Sequence, residues 1–306
     1  MSSTVTSVSV TFSAQTVSAP RIGVALGGGS ARGYAHIGAL ASLERHDLTP
    51  EVIAGTSFGA VVGALYASGH SVERMTRESS QMRRRDVLPH VTDFGLHKAA
   101  LFSGRRLESY FERLVEGRHF SDLEKELVVV TTDVDTGERV LLSEGSVARA
   151  LRASASIPGI FAPVEVDGRR LVDGGLGSPV PLETLETLNV DIAIGIGAGT
   201  TGEESSAIQA AQTFLKTAWG QRLHRGLHDS VNTHPLSRLG RGLAYTANTY
   251  LPQPTDPDSL QVHTNPPISW LQFHRAERAI QAGERALEAF IPRIRQSLNG
   301  LQPNLT

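Results

Sequence analysis

The sequence predicts an α/β fold with a mainly parallel central sheet. Near the N-terminus, a short apolar strand, a glycine-rich turn and a helix follow one another twice, over residues 22–45 and again from residue 52. Two further apolar runs, at residues 127–132 and 191–196, are typical of strands that are buried on both faces. Strands that alternate with helices form βαβ units, and such units place their strands in parallel.

The N-terminal elements are predicted from apolar runs and from the turn residues between them. Residues 22–26 and 52–54 are short apolar strands, each followed by a glycine-rich turn and an apolar helix. Further helices are predicted at residues 71–85 and 104–114, with a mixed loop at residues 94–102 between them.

Turn signals then predict two hairpins. Asp135-Thr136-Gly137-Glu138 turns the strand at residues 127–132 into a strand at residues 139–142. Asp167-Gly168 separates a strand at residues 160–166 from one at residues 170–172. The remaining predicted elements are helices at residues 146–153, 208–227 and 273–298, the last kinked or broken near Pro292, and strands at residues 191–196 and 261–263.

Composition is that of an ordinary globular protein. The 306 residues are 40% hydrophobic and 20% charged, and the net charge of −2 gives no reason to expect a nucleic-acid partner. Cysteine is absent, which excludes disulfides, thiolate metal sites and a cysteine nucleophile. No secretory signal is recognisable, so we expect a cytoplasmic protein, and we expect residues 1–20 to form a disordered leader.

A Gly-x-Ser-x-Gly run, Gly55-Thr56-Ser57-Phe58-Gly59, joins an apolar strand to a helix of small residues. A serine on such a sharp turn has its hydroxyl exposed above the sheet edge, where it can act as a nucleophile. The amides and the dipole at the start of the following helix favour negative charge nearby. An incidental serine in a glycine-rich turn is the alternative that this short run leaves open.

The earlier turn, Gly27-Gly28-Gly29-Ser30-Ala31-Arg32-Gly33, lacks the residues of two nucleotide-binding motifs. A dinucleotide fingerprint requires glycine where Arg32 stands, and a P-loop requires Gly-Lys-Ser/Thr at its end. The backbone N–H groups of this loop can instead receive an oxyanion or a phosphate. Arg32 is predicted to stiffen the loop or to neutralise a lipid phosphate, and a plain tight turn is the alternative.

Asp173 directly precedes Gly174-Gly175 at the end of a predicted strand. A carboxylate there lies at the sheet edge and can take the proton from Ser57. The alternative is an Asx-turn residue that caps the loop. Among the eleven histidines none forms an H-E-x-x-H motif, and His36, in the first helix, is interpreted as a polar helix residue.

Three of these runs resemble the patatin-like phospholipase family in order and spacing: the glycine loop, the Gly-x-Ser-x-Gly run, and Asp173-Gly174-Gly175. Residues 131–138 and 153–163 resemble the family's bacterial members, as does the run that begins at Phe273. The resemblance covers Arg21 to Gly199, with a weaker match near the C-terminus.

The resemblance implies a three-layer α/β/α sandwich and a serine–aspartate dyad without histidine. It implies that Ser57 is the nucleophile, that Asp173 is its base, and that the amides of Gly27, Gly28 and Gly29 form the oxyanion hole. It also implies a lipid acyl hydrolase of the phospholipase A, lysophospholipase or carboxylesterase type, which acts through an acyl-enzyme without calcium or a cofactor. A lipid-binding or regulatory protein with little turnover, and an acyltransferase with the same acyl-enzyme, are the alternatives.

The domain organisation follows from the same resemblance. Residues 21–306 are expected to form a single patatin-like α/β hydrolase domain, with its core at residues 21–200 and a C-terminal helical extension at residues 201–306. Residues 229–258 depart from the family pattern and are interpreted as an insertion.

A membrane-facing rim is one interpretation of the segment after the third predicted helix. Arg83-Arg84-Arg85 ends that helix, and Phe94, Leu96, Leu101 and Phe102 follow it. Arginines at a membrane surface contact lipid phosphates while aromatic side chains enter the interface, so this rim would hold the protein at the membrane periphery. A solvated basic helix end is the alternative.

Overall fold

A mixed sheet lies at the centre of the structure. The computed structural model describes residues 19–81, 93, 100–199 and 259–301. Within these residues the sheet has eight strands: β1 (Ile22–Leu26), β2 (Val52–Thr56), β4 (Glu126–Asp133), β5 (Arg139–Leu142), β7 (Val164–Val166), β8 (Arg169–Asp173), β9 (Ile192–Gly197) and β10 (Gln261–His263). Their order across the sheet is β10-β9-β1-β2-β4-β8-β7, and β5 is also paired to β4.

The sheet is parallel from β10 to β4 and antiparallel beyond it. In the parallel half, Leu26 of β1 lies beside Gly55 of β2 and beside Ile196 of β9. The carboxyl ends of these strands therefore meet at one edge of the sheet. On the other side, β4 pairs antiparallel with β5 and with β8, and β8 pairs antiparallel with β7. The prediction of an α/β fold with a mainly parallel sheet is confirmed.

Helices cover both faces of this sheet. Side chains at alternate positions of a strand point to opposite faces, and Val24, Leu26 and Ile53 belong to the large core under most of the helices. Ala25, Val52 and Ala54 point the other way and pack against a smaller cluster around Leu185. The helices are α1 (Ala35–Arg45), α2 (Phe58–Ala67), α3 (Val72–Gln81), α4 (Arg105–Leu114), α5 (Val147–Ser154), α6 (Leu182–Leu185) and α7 (Ala276–Leu301).

The predicted strand at residues 160–166 is divided in the structure. Pro163 lies between β6 (Gly159–Phe161) and β7, and proline has no N–H to donate to a strand ladder. β6 pairs in parallel with β3 (Ala100–Phe102), so the predicted loop at residues 94–102 ends in a strand. The two form a separate two-stranded sheet within the described residues.

The last helix is not broken at its proline. The sequence predicts a kink or a break near Pro292, but α7 continues through this proline to Leu301. A proline removes one helical hydrogen bond, but Ile291 and Ile294 on either side of it are buried against the core and stabilise the helical path. Other predictions fall on residues outside the described ranges: the leader up to residue 18, the end of the helix at residues 71–85, Arg83 to Arg85, Phe94, Leu96, the helix at residues 208–227 and the insertion at residues 229–258.

Candidate active site

Ser57 occupies the turn between β2 and α2, as the Gly-x-Ser-x-Gly run predicts. β2 ends at Thr56, α2 begins at Phe58, and Ser57 has φ 53° and ψ −124°. A positive φ on a residue with a side chain costs about 1–3 kcal/mol and persists only where the surrounding structure enforces it. The nucleophile candidate is thus held in a backbone conformation that its own sequence does not favour.

Gly59 lets the first turn of α2 lie against the end of β1. A Cβ atom at position 59 would collide with the carbonyl oxygen of Leu26, and the carbonyl oxygen of Gly27 is also close. Only glycine has no atom at that position, so this contact requires it. The contact places Ser57 next to the start of the glycine loop.

Ser57 and Asp173 meet on one edge of β4. Thr56 pairs with Val130, and Asp173 pairs with the next residue, Thr131. β5 overlaps both β2 and β8 along β4, and an edge of a strand can hold only one neighbour at a given residue. β2 and β8 therefore share the edge opposite β5. Asp173 lies where β2 would continue if the chain did not turn away at Ser57.

The carboxylate of Asp173 is fully buried. Its Oδ1 accepts a hydrogen bond from the N–H of Gly175 at 2.8 Å, so the Asx turn that the sequence allows is formed. The backbone N–H of Asp173 donates to the carbonyl oxygen of Ser156 at 3.1 Å. The turn uses a single carboxylate oxygen, and it is therefore compatible with a role for this carboxylate as a base toward Ser57.

The glycine loop commits two of its three predicted oxyanion donors to the backbone. The N–H of Gly27 donates to the carbonyl oxygen of Ile196 at 2.9 Å, and the N–H of Gly28 donates to that of Pro179 at 3.0 Å. The N–H of Gly29 has no hydrogen-bond acceptor within the described part of the chain. An N–H has one proton to donate, so the N–H of Gly29 is the one of these three that is left for an oxyanion, and the oxyanion hole itself stays a prediction.

His36 holds the glycine loop from behind. Its imidazole is fully buried in α1, and its Nε2 lies 2.7 Å from the carbonyl oxygen of Gly27. The carbonyl can only accept, so Nε2 carries the proton. Burial lowers the pKa of His36 to about 4, which keeps the imidazole neutral in this tautomer at neutral pH. The interpretation of His36 as an ordinary polar helix residue misses this contact, which joins α1 to the loop.

The N–H of Ser57 itself is not an oxyanion donor. It donates to the hydroxyl of Ser154, at the end of α5, at 2.8 Å, and this hydroxyl in turn donates to the carbonyl oxygen of Val130 at 2.7 Å. Sequence reasoning assigned no role to Ser154. The only signal was its place in the run at residues 153–163, which resembles the family's bacterial members.

Arg32 and a group of aromatic rings complete the surroundings of the serine turn. Arg32 is buried, with 7% of its surface exposed, and its backbone N–H donates to the carbonyl oxygen of Gly29 at 3.1 Å. Burial favours the loop-stiffening interpretation of Arg32 over contact with a lipid phosphate. Phe58, next to Ser57, packs edge-on against Tyr34 with the ring centroids 4.8 Å apart, and Phe273 lies 6.0 Å from Phe58.

The described residues offer neither a cluster of metal ligands nor a membrane-spanning helix. No group of three or more His, Cys, Asp or Glu side chains in these ranges is arranged to hold a metal ion. None of the helices in the same ranges combines the length and the apolar character that a membrane span requires.

Comparison with known proteins identifies relatives of this chain. An uncharacterised NTE family protein of Mycobacterium tuberculosis is 33% identical over 208 residues, which are 68% of this chain and 57% of that protein. Lysophospholipase NTE1 of Pyricularia oryzae is 26% identical over 280 residues, which are 90% of this chain and 18% of that one. The crystal structure of VipD from Legionella pneumophila aligns with 90% of this chain and 67% of its own, at 14% identity and a TM-score of 0.47.

The chain spans little more than half the length of its mycobacterial relatives, 57%. The family model described as patatin-like phospholipase matches residues 24–186, which include the glycine loop, Ser57 and Asp173. That match extends over more than half of the 306 residues. The chain therefore belongs to the patatin-like phospholipase family, which is a family of serine hydrolases.

Proposed function

We propose that this protein hydrolyses carboxylic ester bonds of lipids, as a phospholipase A, a lysophospholipase or a carboxylesterase, and that it needs no calcium. Ser57 is the nucleophile and Asp173 is the base. The observation that carries this proposal is the meeting of the strained Ser57 turn and the buried Asp173 on one edge of β4. Family membership and the name of the relative from Pyricularia oryzae support a lipid ester as the substrate.

The reaction has two steps, formation of the acyl-enzyme and its hydrolysis by water. Ser57 Oγ attacks the ester carbonyl while the Asp173 carboxylate takes its proton, and the resulting oxyanion accepts a hydrogen bond from the N–H of Gly29. Collapse of this intermediate breaks the bond to the alcohol, which leaves with the proton from Asp173. Water then attacks the acyl-enzyme with Asp173 again as base, and the carboxylic acid leaves as Ser57 recovers its proton.

Substitution of the two dyad residues tests the proposal. We expect Ser57→Ala to abolish hydrolysis of p-nitrophenyl butyrate and labelling by a fluorophosphonate probe, because alanine has no hydroxyl that could form the acyl-enzyme. Asp173→Asn is expected to be nearly as damaging, because an amide cannot accept the proton. The double variant is expected to be little worse than either single one, since residues that act as a unit are non-additive.

Two control variants separate loss of chemistry from loss of structure. Ser68→Ala removes a buried hydroxyl from the other end of α2, and Asp135→Asn removes an exposed carboxylate that pairs with Arg170. Both are expected to stay within about twofold of the wild-type rate, as substitutions away from a reacting group usually do. Residual activity of Ser57→Ala above about a tenth of wild type would contradict the assignment. Efficient transfer of the acyl group to an added alcohol would instead indicate an acyltransferase.

A further inference from the structure

The end of α5 is bonded to both residues of the proposed dyad. The hydroxyl of Ser154 accepts the N–H of Ser57, and the carbonyl oxygen of Ser156, two residues on, accepts the N–H of Asp173. These two contacts join residues that lie far apart along the chain. One short segment thus bonds the backbones of the nucleophile and of its base.

The hydroxyl of Ser154 has a fixed direction. Ser154 is fully buried, and its single proton is donated to the carbonyl oxygen of Val130. The lone pairs of Ser154 Oγ are consequently left to the N–H of Ser57. Val130 is also the residue beside Thr56, the last residue of β2. The hydroxyl therefore bridges the first residue after β2 to the neighbouring strand, at the point where Ser57 takes its positive φ.

The segment after Ser154 is itself held in place. The hydroxyl of Ser156 donates to the carbonyl oxygen of Arg152 at 2.7 Å, and the guanidinium of Arg152 also contacts Ser156. That guanidinium donates to the carbonyl oxygens of Ser103, Gly104 and Ala162 at 2.8–2.9 Å. The end of α5 is thereby fastened to the two-stranded sheet and to the loop before α4.

We infer that Ser154 is a positioning residue, whose hydroxyl fixes the backbone of the nucleophile Ser57 relative to Asp173. It touches no reacting atom, so it acts through Ser57 alone. The inference rests on the proposed function, because it assigns Ser154 a part in the reaction of that same site.

Ser154→Ala tests the inference, with Ser42→Ala as the matched control. Ser42 is also a buried helix serine. It lies near the C-terminal end of α1, and its hydroxyl donates to the carboxylate of Glu288 in α7. Active sites are first counted with the fluorophosphonate probe, and rates are expressed per labelled site. We expect Ser154→Ala to lower kcat for a soluble ester by roughly tenfold or more, with KM within about twofold, because a small misplacement of a reacting group is costly. Ser42→Ala is expected to keep its kcat per site.

The outcomes distinguish this inference from the proposed function. If the wild type is labelled at Ser57 and turns over while Ser154→Ala keeps the wild-type kcat per site, Ser154 is only structural and the inference is wrong. If the wild type is not labelled at Ser57, the proposed function fails first. Should Ser154→Ala not fold, Ser154→Cys keeps the side-chain volume with a weaker hydrogen-bonding group. A loss of kcat per site in Ser154→Cys supports the inference, and an unchanged value overturns it.

Discussion

At the scale of single residues, His36 is the clearest case of a side chain that acts on the site without entering it. Its Nε2 proton holds the carbonyl oxygen of Gly27, while the N–H of Gly28 at the other end of the same peptide unit donates to Pro179. Both polar ends of that unit are therefore fixed. The next unit along the chain carries the N–H of Gly29, so the orientation of this proposed donor depends on the hydrogen bond from His36.

We expect His36→Leu to lower kcat per labelled site by about tenfold or more, because a displaced oxyanion donor loses stabilisation of the transition state. KM should change little, since the bound ester carries no oxyanion until Ser57 has attacked it. His36→Gln retains a side-chain N–H donor and is expected to recover most of the rate. Steady-state kinetics on a soluble ester, with active sites counted by the fluorophosphonate probe, measures these values.

His70→Leu is the matched control for this prediction. His70 is another buried histidine, but it lies at the start of α3 among Arg74, Glu116 and other charged groups that take no part in the proposed site. Its replacement is expected to change stability and to leave kcat per site within about twofold. Equal rates for His36→Leu and wild type would show that the glycine loop holds its shape without the imidazole.

The sequence could predict residues whose place is set by a short local motif. It could not predict residues whose place is set by contacts with distant parts of the chain. Ser57 and Asp173 each stand beside glycines that indicate a sharp turn at a sheet edge, and the structure brings the two together; their chemical roles stay predictions. Ser154 and His36 gain their importance from hydrogen bonds to Ser57 and Gly27. His36 stands in the sequence of an ordinary helix and Ser154 in a run that indicates the family, but neither sequence specifies what lies across the contact.

At the scale of elements, α1 and α7 cross with their backbones almost touching. A Cβ atom at position 38 would collide with the carbonyl oxygen of Ile280, and one at position 283 would collide with that of Ala35. Gly38 and Gly283 thus form a reciprocal contact, in which each glycine faces the backbone of the other helix. The first turn of α1 follows the glycine loop directly, so α7 supports the loop through α1.

We expect Gly283→Ala to destabilise the fold by about 1–3 kcal/mol, because the added methyl group forces the two helices apart. Gly300→Ala in the same helix is the matched control, since a Cβ atom there meets nothing within 4 Å. Alanine is favoured over glycine in a helix, so this control should be neutral or more stable by about 0.5–1 kcal/mol. Urea unfolding midpoints at a constant m-value measure both. Equal midpoints for the two variants would contradict the close crossing.

Element types were predictable where the pattern is strong and local. The alternation of apolar strands and glycine turns predicts β1, β2, α1 and α2, and the two turn signals predict the antiparallel pairs of β5 and β7 with their partners. The two-stranded sheet of β3 and β6 was missed. Its strands have three residues each, too few for a period to show. The guanidinium of Arg152 binds the carbonyl oxygens that follow both strands, and this contact also cannot be read from either strand's own sequence.

At the scale of the whole molecule, the site lies where the two halves of the sheet meet. On one edge of β4, β2 pairs in parallel with the first part of the strand, and β8 pairs antiparallel with the part that follows. The two strands run toward each other along β4, so β2 and β8 both end at adjacent positions, and each strand end carries a residue of the proposed dyad. The sequence predicted β2, β4 and β8 as separate strands, but which of them share an edge is a property of the complete sheet.

The buried histidines also make the stability of the whole fold depend on pH. Burial holds the pKa of His36 at about 4, against an ordinary value of about 6.5, and it lowers the pKa of His70 and of His263 as well. Between those two values the unfolded chain binds a proton at position 36 that the folded chain does not. Acidification therefore favours unfolding, and the stability is fully present only above the pKa of the unfolded state.

We expect His36 alone to remove about 2 kcal/mol of the free energy of unfolding between pH 7 and pH 5, since one pKa unit corresponds to about 1.4 kcal/mol. Glu288 does not contribute in this window, because hydrogen bonds from His46, Arg45 and Ser42 lower its pKa to about 2 and its stabilisation is lost only below about pH 4.5. His36→Gln should therefore show a shallower pH dependence of the urea midpoint than wild type. Gly283→Ala, which is destabilised without losing a titrating group, should keep the wild-type slope. Parallel curves for His36→Gln and wild type would mean that His36 does not titrate differently in the folded and unfolded chains, and that burial does not hold its imidazole in the neutral state.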